Sequence, residues 1–207
     1  MFVRMWMTKN PIWVNSDLSL SIAYPRFAEH GIHRLPVVDE GRVVGILTST
    51  DVQKLLTANQ DGICLAALCN YKVRDVMTGQ PQTVTSDDAI ETAALLMREN
   101  RISCLPVVDA GRLVGILTEA DIFEAFISIM GSREEGRRIA VELGHGSAGF
   151  QDLLDLADQN GVDLLSIATL HSYTKTHALA VVRVQGVETD AFAQDLQSGG
   201  HRVIETK

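Results

Sequence analysis

No stretch of this chain approaches the roughly 18 consecutive apolar residues that a membrane-spanning helix needs. The opening residues Met1 to Trp6 also lack the apolar core of a secretory signal. These two absences set the expectation of a cytoplasmic protein with no membrane partner. Basic charge is in short supply as well, since 18 Lys and Arg face 26 Asp and Glu for a formal net charge of −8. An acidic surface repels a phosphodiester backbone, and no basic face is segregated in the order of charges, so nucleic acid is set aside as a partner. Cysteine is scarce. Cys64, Cys69 and Cys104 are odd in number and show no C-x-x-C spacing, which argues against a disulfide framework or a zinc site and for buried free thiols.

What the chain does have is the balance of a globular protein, with 46% hydrophobic and 21% charged residues over 207 positions. That length suits two modest domains, each with its own core. Sliding the sequence 70 residues against itself uncovers an internal repeat. Val3-Arg4 falls on Val73-Arg74, Met7-Thr8 on Met77-Thr78, Pro11 on Pro81 and Ser16-Asp17 on Ser86-Asp87. The strongest matches follow, Leu35-Pro36-Val37-Val38-Asp39 on Leu105-Pro106-Val107-Val108-Asp109 and Val44-Gly45-Ile46-Leu47-Thr48 on Val114-Gly115-Ile116-Leu117-Thr118, then Asp51 on Asp121.

Hydrophobic periodicity within each copy reads strand, helix, strand, strand, helix. In the second copy Val84 lies in a short strand and Ser86 is expected to cap a helix carrying Ile90, Ala93, Ala94 and Met97 on one face. The run Leu105 to Val108 is a buried strand, Asp109-Ala110-Gly111 a turn using glycine at positive φ, and Arg112 to Leu117 its antiparallel return. Pro25, where the second copy has Leu95, should kink the first helix of copy one.

The paired V-M-T, L-P-V-V-D and G-I-L-T-x-x-D elements closely resemble a tandem pair of CBS domains, the Bateman module, over residues 3 to 130. The resemblance implies a pseudo-two-fold disc with a cleft between the copies that holds AMP, ADP, ATP or another adenosyl compound such as S-adenosylmethionine. It places Asp51 and Asp121 on the ribose, Thr48 and Thr118 on ribose or phosphate, and Val37, Thr83 and Val107 around the ligand.

From the residues alone, Thr48-x-x-Asp51 and Thr118-x-x-Asp121 sit where a strand ends and a helix begins. Free backbone N–H groups there suit a phosphate and an aspartate suits ribose hydroxyls. The same spacing is also a helix capping box needing no ligand; both roles stay open. Gly45 and Gly115 would permit close backbone approach. His33-Arg34 in copy one becomes Ser103-Cys104 in copy two, so Arg34 is either a phosphate clamp or a solvated side chain. His33 is read as a local hydrogen-bonding residue. Trp13, at the position of Thr83, either stacks on adenine or fills the space, so one working cleft is expected rather than two.

After residue 130 the charged, glycine-bounded segment 131–136 reads as a linker, and residues 137–207 as a different small domain. Repeats over 1–60 and 61–130 precede it. Ile139, Val141 and Leu143 point inward from a strand, and Phe150, Leu153, Leu154 and Ala157 form a helix face stopped at Gly161. Strands at 162–170 and 178–184, a helix at 188–197 and a strand at 202–206 complete a β-α-β-β-α-β order, ferredoxin-like, which resembles an ACT domain. The whole is therefore an α/β (α+β) protein.

Gly144 to Gly149 spells G-x-G-x-x-G. A dinucleotide site is rejected because no acidic residue closes the next strand, the remaining chain is short, and the strand order is antiparallel. The resemblance gives Gly146 and Gly149 instead to an amino-acid site, although the usual Asp-x-Pro-Gly is missing; a plain helix-capping turn stands beside it.

CBS pair followed by ACT domain is similar to the acetoin-utilisation-type bacterial proteins. That similarity implies a non-enzymatic regulator and homodimer, with no required cofactor, no metal, and a regulated partner protein. An enzyme using His145, Ser147, His171 or His177 finds no nucleophile elbow or paired carboxylates. A ligand-free assembly module is the remaining alternative.

Overall fold

The computed structural model describes residues 1–57, 65–144, 147–170 and 177–206. They form two compact units, Met1–Phe123 and Glu124–Lys207. Among the described residues no helix is long and apolar enough to cross a membrane.

The first unit opens with a 3-10 turn at Val3–Met5 and the two-residue strand β1, Thr8–Lys9. Pro25 does more than kink the next helix. It divides it into α1 (Leu20–Ala23), capped by the Ser19 hydroxyl, and α2 (Pro25–Glu29), in which it takes a first-turn position where its missing N–H costs nothing. The hairpin β2 (Arg34–Asp39) and β3 (Arg42–Thr48) follows, then α3 (Ser49–Thr57).

The second copy repeats this with β4 (Thr78–Gly79), one unbroken helix α4 (Ile90–Asn100), β5 (Cys104–Asp109), β6 (Arg112–Thr118) and α5 (Glu119–Ile129). Both hairpin turns have two residues at positive φ, Glu40 and Gly41 in one and Ala110 and Gly111 in the other. That geometry matches the strand twist, and Glu40 and Ala110 adopt it despite their Cβ atoms. Leu35, Val37, Leu105 and Val107 are wholly buried. Pro36 and Pro106, lacking N–H groups, each accept through their carbonyls from Val14 and Val84 in the preceding segment.

The two copies are not separately closed. β4 pairs with β3 of the first copy, while β1 pairs with β6 of the second, giving sheets β2-β3-β4 and β1-β6-β5. Val3 is buried in the cluster holding Val84, Leu105 and Leu117, and Val73 in the one holding Val14, Leu20 and Leu35. Each N-terminal segment thus completes the other copy's core.

This exchange also explains Gly45 and Gly115. A Cβ at Gly45 would meet Met77 Sδ and lie 3.1 Å from the Thr78 carbonyl; at Gly115 it would meet Met7 Sδ and lie 3.1 Å from the Thr8 carbonyl. The close approach read from the sequence is made by the swapped strands rather than by a ligand.

Ser86 does not cap α4, whose N-cap position is Ala89. The Ser86 amide donates instead to Asp109 Oδ1 at 3.0 Å, as the Ser16 amide does to Asp39 Oδ1. The aspartates ending the two L-P-V-V-D strands therefore tie down the loops that receive Arg4 and Arg74, whose amides donate to the Ser86 and Ser16 carbonyls.

The amide and hydroxyl of Ser86 hold the Asp109 carboxyl below its ordinary value of 3.8. The folded state then releases this proton more readily than the unfolded chain does. Its stabilisation is complete above the unfolded pKa and is lost as pH falls through the folded one. Asp109→Asn is expected to flatten the stability profile between about pH 5 and about pH 3, measured by denaturant unfolding at each pH. An unchanged slope would contradict the assignment.

The cysteines divide: Cys104 is buried, Cys69 is exposed, against the expectation for it, and Cys64 lies outside the described residues.

The second unit contains β7 (Arg137–Gly144), α6 (Ser147–Gln159), β8 (Asp163–Leu170), β9 (His177–Gln185), α7 (Thr189–Ser198) and β10 (Arg202–Thr206). Its antiparallel sheet runs β10-β7-β9-β8, so the β-α-β-β-α-β order legible in the sequence is the order observed. Ile139, Val141 and Leu143 alternate into a core with Leu153, Ala157, Phe192 and Leu196. Leu154, read as part of that face, is exposed, and Gly161 ends α6 at φ +60.

The segment 131–136 is fastened to this sheet. Ser166 donates its hydroxyl to the Met130 carbonyl, and Arg183 donates to the carbonyls of Glu134 and Gly136. A Cβ at Gly136 would come within 2.6 Å of the Val184 carbonyl, so glycine is needed there for the contact.

Candidate functional site: two clefts between the repeats

The junctions of β3 with α3 and of β6 with α5 are built alike. The Thr48 amide and hydroxyl both donate to Asp51 Oδ2, at 3.1 and 2.6 Å, and the Asp51 amide donates back to Thr48 Oγ1 at 3.2 Å. Thr118 and Asp121 repeat this at 2.7, 2.7 and 3.4 Å. The capping box therefore exists. It employs one carboxylate oxygen only, and among the described residues nothing donates to Oδ1 of either aspartate. Capping and ligand recognition are compatible.

Among the described residues, two cavities lie between the copies. The larger, about 550 Å³, is lined by Thr48, Asp51, Lys54, Gln80 and Arg101 to Cys104. The smaller, about 310 Å³, has Asn10 to Ile12, Gly31, Ile32, Ile116 and Thr118 on its wall. Both fall within the size range of small-molecule sites. His33 and Arg34 border both.

Arg34 is held in place: its Nε and Nη2 donate to Ser103 Oγ at 3.2 and 2.8 Å, across the pseudo-two-fold from its own hairpin. It is thus positioned by the other copy rather than loose in solvent. Cys104 occupies the equivalent place in copy two. Burial pushes its thiol above the ordinary 9.0, with Arg34 pulling the other way, so it stays protonated at neutral pH.

Of the residues singled out from the sequence, His33, Arg34, Thr48 and Asp51 meet at the larger cavity, and Thr118 joins His33 and Arg34 at the smaller. Asp121 caps α5 without reaching the wall of the smaller cavity. Val37 and Val107 are wholly buried in the two cores and turn no side chain to a cleft. Thr83 is exposed and, like half-exposed Trp13, lines neither cavity. Gly149 is buried in the first turn of α6, while Gly146, His145 and His171 lie outside the described residues.

Lys54, Gln80 and Arg101 are cavity residues that sequence reasoning missed. Only Lys54 left a signal, one helical turn beyond Asp51. Arg101 is brought in by its left-handed conformation at the end of α4, φ 54.

The CBS domain model matches residues 3–58 and 73–128, the two copies of this doubled architecture. The chain belongs to the CBS domain family. A CBS domain-containing protein of Dictyostelium discoideum is 35% identical over 136 residues, covering 62% of this chain and 92% of the relative. Among solved structures, the CBS domain pair of protein MJ0100 in complex with 5′-methylthioadenosine and S-adenosyl-L-methionine is 35% identical, with TM-score 0.53, over 61% of this chain and 99% of that one. CBSX2 in complex with AMP is 31% identical, with TM-score 0.53, over 62% and 97%. Longer curated relatives are matched over less than half of their length, L-aspartate semialdehyde sulfurtransferase of Methanocaldococcus jannaschii over 23%. Each of these two solved structures is in complex with adenosyl compounds, MJ0100 with two and CBSX2 with AMP.

Proposed function

We propose that this chain is a non-enzymatic, ligand-sensing regulator that binds an adenine nucleotide or related adenosyl compound in the cleft walled by Thr48 and Asp51. The observation that carries this is Asp51 itself. Its Oδ2 is engaged in capping, its Oδ1 is left for ribose hydroxyls, and Arg34, Lys54 and Arg101 line the same cavity for phosphate. The ligands of MJ0100 and CBSX2 support the adenosyl class.

In this reading residues 1–60 and 61–130 are the sensing repeats, 131–136 joins them to an ACT-like domain at 137–207, and a cytoplasmic bacterial homodimer relays the bound state to a partner protein. Such a relay requires the ligand to favour one of two arrangements. AMP, ADP, ATP and S-adenosylmethionine are the candidates.

Thermal unfolding of the protein with each compound is the test. A ligand at 100 times its dissociation constant adds about 2.7 kcal/mol, a rise of roughly 5–10 °C for a chain of this size. Unmoved curves with every adenosyl compound would favour an assembly module instead.

A further inference from the structure

The repeat is exact in register but not in charge, and the difference falls on the cavity walls. The larger cleft holds three cations, Arg34, Lys54 and Arg101. The smaller holds one, and it is the same Arg34. At the 70-residue spacing Arg101 corresponds to Gly31 and Arg34 to Cys104. The helix starting beside the larger cleft begins with Ser49, the one beside the smaller with Glu119. An acid in the first turn of α5 competes with any phosphate for the free N–H groups and the positive end of that helix. Apolar side chains, Ile12, Ile32 and Ile116, take up much of the smaller wall.

Resting on the adenosyl reading above, we propose that the two clefts divide their ligands by phosphate. The larger takes a phosphorylated adenosine, and the smaller takes an adenosyl compound carrying no phosphate. Arg34 enforces the division because it is one guanidinium, fixed by Ser103, bordering both sites. Once its remaining donors turn to a phosphate in the larger cleft, a phosphate in the smaller cleft finds no cation of its own among the described residues.

Titration calorimetry of the full chain with ATP, and then of the ATP-saturated protein with adenosine, tests this. The expected result is one ATP per chain and one further adenosine that binds while ATP remains. Arg101→Gly and Lys54→Met should each weaken ATP by about 10-fold or more and leave adenosine within about 2-fold, since a lost charged hydrogen bond is worth at least that factor. Circular dichroism of both variants reports folding, and their retained adenosine affinity shows that the clefts are intact.

Two equivalent ATP molecules per chain would overturn the division while leaving the adenosyl reading standing. The same follows if the ATP-to-adenosine ratio is unchanged in both variants, or if ATP-saturated protein takes up no adenosine. Failure of both compounds to bind at all would remove the adenosyl reading and this inference together.

Discussion

Alanine at Asp51 is expected to weaken adenine-nucleotide binding by about 10- to 150-fold, the value of one hydrogen bond to a charged acceptor. The same change removes half of the capping box and should cost the first unit about 0.5–2 kcal/mol. Stability and affinity are separated by Asp51→Asn. Asparagine can still accept from the Thr48 amide and hydroxyl, which now meet Asp51 Oδ2, but it presents an N–H donor where Oδ1 stood. Affinity should fall nearly as far as in the alanine variant, with stability close to that of the parent.

Asp121→Ala is the internal control. It loses an equivalent cap, so its stability cost should match, yet it leaves ATP affinity at the larger cleft within about 2-fold, since additive effects are expected of distant sites. Calorimetric titration with ATP decides the matter. Equal losses in the two alanine variants would mean that affinity follows stability, and would remove Asp51 from the ribose.

Phe192→Ala is expected to cost the second unit about 3–5 kcal/mol, the range for emptying an aromatic site in a packed core. Phe192 is wholly buried on α7 and belongs to the cluster that includes Ile139, Val141, Leu153 and Val182. A domain has about 5–15 kcal/mol in total, so such a loss brings this unit near its unfolding threshold. The clusters around Leu20 and around Val84 contain no residue of that core. Amide hydrogen exchange should therefore accelerate across β7–β10, α6 and α7 while β2, β3, β5 and β6 keep their protection. Acceleration spread evenly over the chain would show that the two cores unfold as one.

The hairpins were the most legible part of the fold. Apolar runs at Leu35 and Leu105, bounded by turns with glycine in second place, leave little choice of structure. The sheet of the second unit was legible for a similar reason, because alternation at Ile139, Val141 and Leu143 fixes which face is buried. Ser86 misled because a serine before an apolar run also suits a turn, and the Asp109 carboxylate claimed its amide. Val37 and Val107, which the family resemblance places around the ligand, are turned into the cores by the alternation of their strands.

At the site, Thr48 and Asp51 could be found from local spacing, but Arg101 and Gln80 could not. Arg101 reaches the cavity from the second copy and Gln80 by way of the exchanged strand β4, about 50 and 30 residues away along the chain. Nothing in a two-residue strand such as β1 or β4 announces which distant edge it will join. Pairing of that kind is decided by tertiary packing, here by Val3 and Val73 entering the opposite cores.

That exchange of opening segments bears on how the molecule is made. As the chain leaves the ribosome, the first hairpin lacks its third strand until Thr78 and Gly79 have been synthesised, so the first copy waits for the second and both close together. One copy expressed alone would carry a donor segment and an unfilled acceptor edge, and two such molecules would satisfy each other. The covalent pair holds both edges in one molecule, and the 70-residue spacing makes an encounter between molecules into a step within one.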